Sequence, residues 1–339
     1  MEGIRKPEEL FVTVISLISW GCPTQAIVHT YDLDERTVGN WQQRAGRHCE
    51  KVHQDQIEQG KLDPKQGQAD EMRIKARGVI LWMAMVMVVP TRLWAGGAVS
   101  KTRDSKLIDR LMYQFRRCCQ DVCAILICTD GFAAYPKSIM RAFREKVKKT
   151  PGRGRCCLEI WPDLQIGTVI KRTVKRRLQE VIRQVTHGTE ERVQELLQLS
   201  KGGSMLNTSY IERLNATFRE RLASLTRKCR HAVSKEATLH AGMYLIGSTY
   251  NFCIPHQQLS QALDLGGFGY LCTPAMASGL TDHVWSVKEL LLFKVAPPPL
   301  PLLKKKGRAR TKFTQNTSVP KKPVVQMRKG VLCFSRVGF

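Results

Sequence analysis

Gln68 to Ala76 reads QADEMRIKA, and its alternation decides the fold class. Asp70, Met72, Ile74 and Ala76 fall on one face and Glu71, Arg73 and Lys75 on the other, which is the period-two pattern of a strand with one buried side. The apolar run Val79 to Val89 (VILWMAMVMVV) follows, then Pro90, then 92–99 (RLWAGGAV). These predict two more strands, paired with the first as an antiparallel meander. The period then lengthens, with Leu107, Ile108, Leu111, Met112 and Phe115 at helical spacing. Val122 to Cys128 (VCAILIC) predicts a short buried strand running straight into Thr129-Asp130-Gly131. Three strands, a helix and a further strand make an α/β core of a sheet flanked by helices.

Downstream, the pattern predicts a helix over 135–147, a Gly/Arg turn at 151–155 and a strand around 157–161. Long helices are expected next: 171–200, striped by Leu178, Val181, Ile182, Val185, Val193, Leu196 and Leu197, then 210–227, then 235–250. Upstream, helices are expected over 7–20 and 23–29, with Asp34 capping a third that Val38, Trp41 and Ala45 anchor. Helix, short turn, helix is the helix-turn-helix pattern. On the opposite face of the third helix, Arg36, Asn40, Gln43, Arg44 and Arg47 recur at helical spacing, the residue types that read base edges and grip phosphates in a major groove. An ordinary solvated helix face would carry the same residues.

The 339 residues include 54 Lys+Arg against 29 Asp+Glu, a formal net charge of +25. Eleven of the basic residues fall in 304–339, which has no acidic residue, yet the rest of the chain stays basic. A field of this sign attracts polyanions, nucleic acid first among them. Lys101, Arg103, Arg116, Arg117, Lys171, Arg172, Lys175, Arg176 and Arg177 are candidates to line a DNA path. The eleven-residue apolar run at 79–89 is too short to cross a bilayer, where about 20 residues are needed. No secretory signal pattern opens the chain, so the expected location is cytoplasmic, in association with the nucleoid. Twelve cysteines with no CxxC pair read as reduced thiols rather than zinc ligands.

Asp70 in the first strand and Asp130 at the end of the fourth can meet at one sheet edge if those strands are neighbours. Glu212, in NTSYIERLNATFRERLASLTRK, shares a polar stripe with Asn215 and Arg219 opposite the buried stripe Ile211, Leu214, Phe218, Leu222 and Leu225. Three carboxylates at one edge form a site for two Mg²⁺ or Mn²⁺ ions about 4 Å apart, able to activate an attacking oxygen and stabilise a leaving one. Asn215 and Arg219 are then placed to contact the substrate phosphate. Each acid also has a plain structural reading: Ser209 to Glu212 fits a capping box, Asp130-Gly131 fits a turn, and Asp70 fits a solvated strand charge.

Asp70-Glu71-Met72, Thr129-Asp130-Gly131 with Tyr135, and the block Asn207 to Asn215 with Arg219 together resemble the DDE transposases of bacterial insertion sequences, most closely the insertion-sequence-one-like group. YNFCIPH at 250–256 resembles the closing Tyr-Asn and Pro-His motif of many such enzymes, with Cys253-Ile254 as a departure. The paired-cysteine zinc element that opens many relatives has no counterpart, and neither does the hydrophobic end VLCFSRVGF. The resemblance implies a ribonuclease H-like mixed sheet preceded by an all-α helix-turn-helix domain. It also implies metal-ligand roles for Asp70, Asp130 and Glu212, and cleavage and joining of double-stranded DNA at element ends by a homodimer that brings two ends together. The expected layout is a helix-turn-helix domain and linker over 1–60 and a catalytic domain with a helical insertion over 61–258. A C-terminal extension over 259–303 and a basic flexible tail over 304–339 complete it. A catalytically inactive DNA-binding regulator descended from a transposase is the alternative expectation, and a general nuclease of the same fold is a third.

Overall fold

A computed structural model of the chain describes residues 6–76, 78–148, 156–175, 177–225, 235–262 and 270–297. The expected turn at 151–155, Arg176, residues 226–227, the basic tail and the hydrophobic C-terminal end lie outside those residues; the helix expected over 210–227 ends at Arg221, where Leu222 turns extended before a short 3-10 turn over Ala223–Leu225.

Three helices open the chain: α1 (Glu8–Ser19), α2 (Thr24–Tyr31) and α3 (Glu35–Gln56). Asp34 caps α3, its Oδ1 accepting from the backbone N–H of Arg36 at 2.8 Å and of Thr37 at 3.3 Å. Helix α3 runs on through much of the segment read as extension and linker, and it packs along a late helix, α8 (Glu236–Phe252). The two backbones nearly touch at Gly46, where a Cβ would stand 2.1 Å from the Ala241 carbonyl oxygen, so only glycine fits. Phe11, Val38 and Trp41 belong to the same hydrophobic cluster as Trp94, Phe115 and Ile127 of the sheet region. The N-terminal helices therefore share the core of the sheet.

The sheet holds six strands in the order β3-β2-β1-β4-β7-β8, built from β1 (Lys65–Ala76), β2 (Val79–Val88), β3 (Trp94–Ser100), β4 (Ile125–Asp130), β7 (Leu164–Val174) and β8 (Arg177–His187). β1, β2 and β3 form the predicted antiparallel meander, and β1 lies parallel to β4 in a register that ends at Ala69 opposite Thr129. β4 in turn lies parallel to β7. The sheet is thus mixed, with helices against it. β4 is apolar on both faces: Ile125 and Ile127 join the main cluster, while Leu126 and Cys128 pack under α6 (Glu190–Leu199) with Val193, Leu196 and Leu197. A strand covered on both sides reads as a continuous apolar run.

Two expectations about this region are corrected. The long helix over 171–200 is not what forms: β7 and β8 pair as antiparallel strands, and of the described residues in that range only Glu190–Leu199 is helical. The tip of the hairpin is exposed, Leu178 with it, only Val181 and Val185 pack against the cluster under α6, and a bulge at Arg172/Thr173 shifts the register. Thr189 caps the true helix through the Arg192 N–H. The interruption before Glu212 is mainly a hairpin and not a helical insertion. The helix read over 135–147 stops early: α5 is Ala134–Ala142, and Arg144–Val147 (β5) pairs with Cys157–Ile160 (β6) as a separate two-stranded sheet.

Helix α4 (Ser105–Cys118) lies against β2 and β3, and α7 (Ser209–Arg221) crosses β1 and β2. Ile211, Leu214, Phe218, Leu222 and Leu225 are buried, as their spacing predicts. α8 docks on β3 at Gly247, where a Cβ would meet the Trp94 ring at 2.1 Å. The Asn251 amide clamps the same residue, accepting from Trp94 N–H at 2.9 Å and donating to its carbonyl at 2.8 Å. After α9 (Gln257–Ala262) and α10 (Pro274–Ala277), the chain returns as α11 (Val287–Leu292), which packs on α1, α3 and α8. Trp285 stacks on Phe252 with ring centroids 4.5 Å apart. Among the described residues no helix is long and apolar enough to cross a membrane.

Candidate functional site

The site begins where β1 outruns β4. Their pairing stops at Ala69 and Thr129, so Asp70 and Asp130 are the first residues past the shared ladder. One oxygen each from Asp70, Glu71 and Asp130 lies within 4.8 Å of the others. The sequence pattern put Glu71 on the face opposite Asp70. In the structure its longer side chain turns into the cluster, where Tyr135 of α5 donates to Oε2 at 2.8 Å. Tyr135 is fully buried and the Glu71 carboxylate is 1% exposed, so this contact is sealed from water.

Burial first, and neighbouring charge after it, explain the titration of the cluster. Burial, then the neighbouring Glu71 and Asp130 charges, push the Asp70 carboxyl up to about 6. Burial and Asp130 also push Glu71 up, opposed by the Tyr135 hydroxyl and by Arg103. Arg103 supplies the counter-charge: Nε donates to Glu71 Oε1 at 2.6 Å, and Nη2 reaches Asp130 Oδ2 at 3.5 Å. Its guanidinium lies 4.1 Å from the Phe132 ring centroid. Asp130 also accepts from the Phe132 N–H at 3.0 Å, so the turn reading of Asp130-Gly131 holds for one of its oxygens.

Glu212 lines the same cleft as Asp130, Arg103 and Gly131, facing them from α7. Its carboxylate is taken up by Lys171 of β7 and by Thr208 Oγ1 at 2.6 Å. Partial burial pushes that carboxyl up, but the hydrogen bonds from Lys171 and Thr208 outweigh it and hold the group below the usual range. The capping box does not form: Ser209 donates to Asn207 Oδ1, and the helix N-terminus is capped from across the fold by Gln68. Gln68 Oε1 accepts from the N–H groups of Tyr210 and Ile211, both at 3.1 Å, and its Nε2 donates to the Asn207 carbonyl at 2.9 Å. One buried side chain on β1, two residues before Asp70, thereby sets the position of the helix that carries Glu212.

Other predicted contacts land elsewhere. Asn215 is 3% exposed and donates to Asp70 Oδ2 at 2.8 Å, so it orients a carboxylate and does not reach out to a phosphate. Arg219 is exposed on α7. On α3, Arg36, Asn40 and Arg47 are exposed and Arg44 is half-buried. Gln43 is half-buried and turned to α8, donating to Thr238 Oγ1 at 3.3 Å. Of the proposed DNA path, Arg103, Lys171, Arg116, Arg117 and Arg172 are each ion-paired with Glu71, Glu212, Glu145, Glu58 and Glu180 in turn. Lys101, Lys175 and Arg177 are exposed. The ten cysteines among the described residues are free thiols.

Glu71, Gln68, Tyr135 and Arg103 complete the site beyond the residues singled out as ligands. The adjacent Asp-Glu pair was the sequence signal for Glu71, but a strict strand period hides it.

Compared with known proteins, the chain matches no family model and no curated protein. The functional argument rests on the chemistry of this cleft.

Proposed function

We propose that the chain is a DDE-type transposase with a ribonuclease H-like core, cutting double-stranded DNA at the ends of a mobile element and joining the freed ends to target DNA. What supports this reading is the meeting of Asp70 and Asp130 just past the shared ladder of two adjacent parallel strands, with Glu212 lining the cleft beside Asp130 from α7. The donor set fits a hard divalent cation: Asp70, Glu71 and Asp130 offer carboxylate oxygens and no softer atom. These three would hold Mg²⁺ or Mn²⁺, and Glu212, released from Lys171, would serve a second ion. Such ions supply activation of an attacking oxygen and stabilisation of the leaving oxygen.

The chain's own residues prepare that cleft. Asn215 and Tyr135 hydrogen-bond to Asp70 and Glu71, Gln68 holds the start of α7, and Arg103 supplies the positive charge that faces Glu71 and Asp130. With the carboxylates neutralised by a bound cation, Arg103 and Lys171 would be available to a phosphodiester at the cleft mouth. Arg36, Asn40 and Arg47, exposed on α3, are the residues proposed to read DNA in helix-turn-helix fashion, and a homodimer would bring two ends together.

The test is incubation with Mg²⁺ or Mn²⁺ and DNA carrying the ends that flank the gene, beside Asp130→Asn. Cleavage or joining by the wild type alone is expected. One observation favours a second reading, a DNA-binding regulator without catalysis: Arg103 and Lys171 already occupy the carboxylates. End binding with no cleavage under either metal would establish that reading instead.

A further inference from the structure

Helix α7 has two working faces. Thr208, Glu212 and Asn215 turn toward the acidic cleft, while Tyr210, Arg213, Thr217 and Arg221 recur three or four residues apart along a second cavity. That cavity has a volume of about 540 Å³ and is lined by Arg92 from the β2–β3 turn, by Tyr250 in the last turn of α8 and by His256 in the connection to α9. No carboxylate lines it among the described residues.

Three polar atoms of its wall are buried without a hydrogen-bond partner: Arg92 Nε, Arg221 Nη1 and His256 Nδ1. The guanidiniums are held by other contacts that leave these atoms free. Arg92 lies 3.9 Å from the Tyr210 ring centroid and donates through Nη1 to the Val89 carbonyl, and Arg221 lies 4.8 Å from the centroid of Trp20. Burial pushes the Tyr250 hydroxyl up to about 12, and the charges of Arg92, Arg221 and Arg213 pull against it, so all three cations bear on one point. A buried donor atom on a charged group that is left unpaired is costly. A single cavity that gathers two of them beside a histidine, with no acid to answer, is shaped for an anion with several acceptor oxygens.

We propose that this cavity binds a phosphate group, with Arg92, Arg213, Arg221 and His256 as its donors. The site lies on the other side of α7 from the carboxylates, and the proposal stands whether or not the chain cuts DNA. The shared chemistry is a phosphate carried either by a small ion or by a nucleic-acid backbone, and the volume is large enough for a nucleotide-sized group.

The test is titration of the full chain, in EDTA so that the acidic cleft plays no part, with inorganic phosphate in one arm and a short 5′-phosphorylated single-stranded oligonucleotide in the other. Arg213→Gln alters an exposed residue at the cavity and keeps the fold, and the Arg92→Gln/Arg221→Gln double variant removes the buried donors. Binding about tenfold weaker in Arg213→Gln, and weaker still in the double variant, is expected. Dependence of the phosphate arm on these residues identifies a small-ion site. Dependence of the oligonucleotide arm alone identifies a backbone phosphate. Affinities for both probes that are unchanged in Arg213→Gln and in a folded double variant would overturn the proposal, because ordered water would then suffice for the orphaned donors.

Discussion

The Asn215 side-chain amide donates to Asp70 Oδ2 at 2.8 Å, tying α7 to β1 at a carboxylate of the acidic cluster. A residue that orients a ligand from behind is worth about 10- to 100-fold in metal affinity. Asn215→Ala is therefore expected to weaken Mn²⁺ binding by at least about tenfold and to lower unfolding free energy by about 1–2 kcal/mol. Arg219→Ala, on the same helix but exposed, leaves both unchanged. Isothermal titration with Mn²⁺ and urea unfolding on the two variants check the contrast, and equal effects would mean that Asn215 does not act through Asp70.

Two buried groups give stability a pH dependence of opposite sign. Asp70 is raised to about 6, so the native state favours its protonated form: that stabilisation is full below about pH 4 and is lost as pH rises through 6. His53, fully buried between Trp94 and Tyr244, is lowered to about 4, chiefly by burial and against the pull of Glu58. Its stabilisation is full above about pH 6.5 and is lost as pH falls toward 4. Each effect is on the order of 3 kcal/mol, so in the metal-free wild type the two largely cancel. Asp70→Asn should then show stability that only falls on acidification over this range, and His53→Leu stability that only falls as pH rises. Urea unfolding in EDTA between pH 4 and 7.5 distinguishes them, and parallel curves for the two variants would contradict the assignment.

The legible parts of the fold were those where burial and period agree. β4 is covered on both faces and α4 on one, and their apolar residues stand where the pattern places them. β8 is the hard case because it is an edge strand largely open to solvent: only Val181 and Val185 reach the cluster under α6, Leu178 is exposed, and Val181, Ile182 and Val185 also fit a helical spacing. The pair Asp70 and Asp130 was legible because it needed only the adjacency of β1 and β4. Glu71 was not, because its role depends on β4 ending one residue before it could pair, which leaves a gap that the longer side chain crosses to Tyr135. Gln68 was equally hidden: its partners are backbone N–H groups more than 140 residues away.

Arg103 competes with any cation for Glu71 and Asp130. Removing a positive charge a few ångströms from a cation site is worth on the order of 1–2 kcal/mol at a partly exposed position. Arg103→Gln should therefore tighten Mn²⁺ binding by about tenfold, while leaving the two carboxylates less well neutralised without metal. Titration at fixed pH and low salt reads this directly, and the gain should shrink as salt is raised. Weaker binding in Arg103→Gln would mean that the guanidinium organises the carboxylates and does not compete for them.

Gln68 is the most economical place to move α7 without touching a carboxylate. Its Oε1 satisfies two N–H groups that a helix start otherwise leaves unpaired, and its amide pins Asn207, which in turn accepts from Ser209. Gln68→Ala leaves those donors buried without an acceptor and is expected to cost about 1–3 kcal/mol of stability. Gln68→Glu keeps the acceptor, and a negative charge suits a helix N-terminus, so it should restore most of the loss even though its second oxygen cannot donate to Asn207. If α7 is held by this cap, Mn²⁺ affinity should fall in Gln68→Ala through displacement of Asn215 and recover in Gln68→Glu. A stability loss with unchanged metal affinity would show that the packing of Ile211, Leu214 and Phe218 alone fixes the helix.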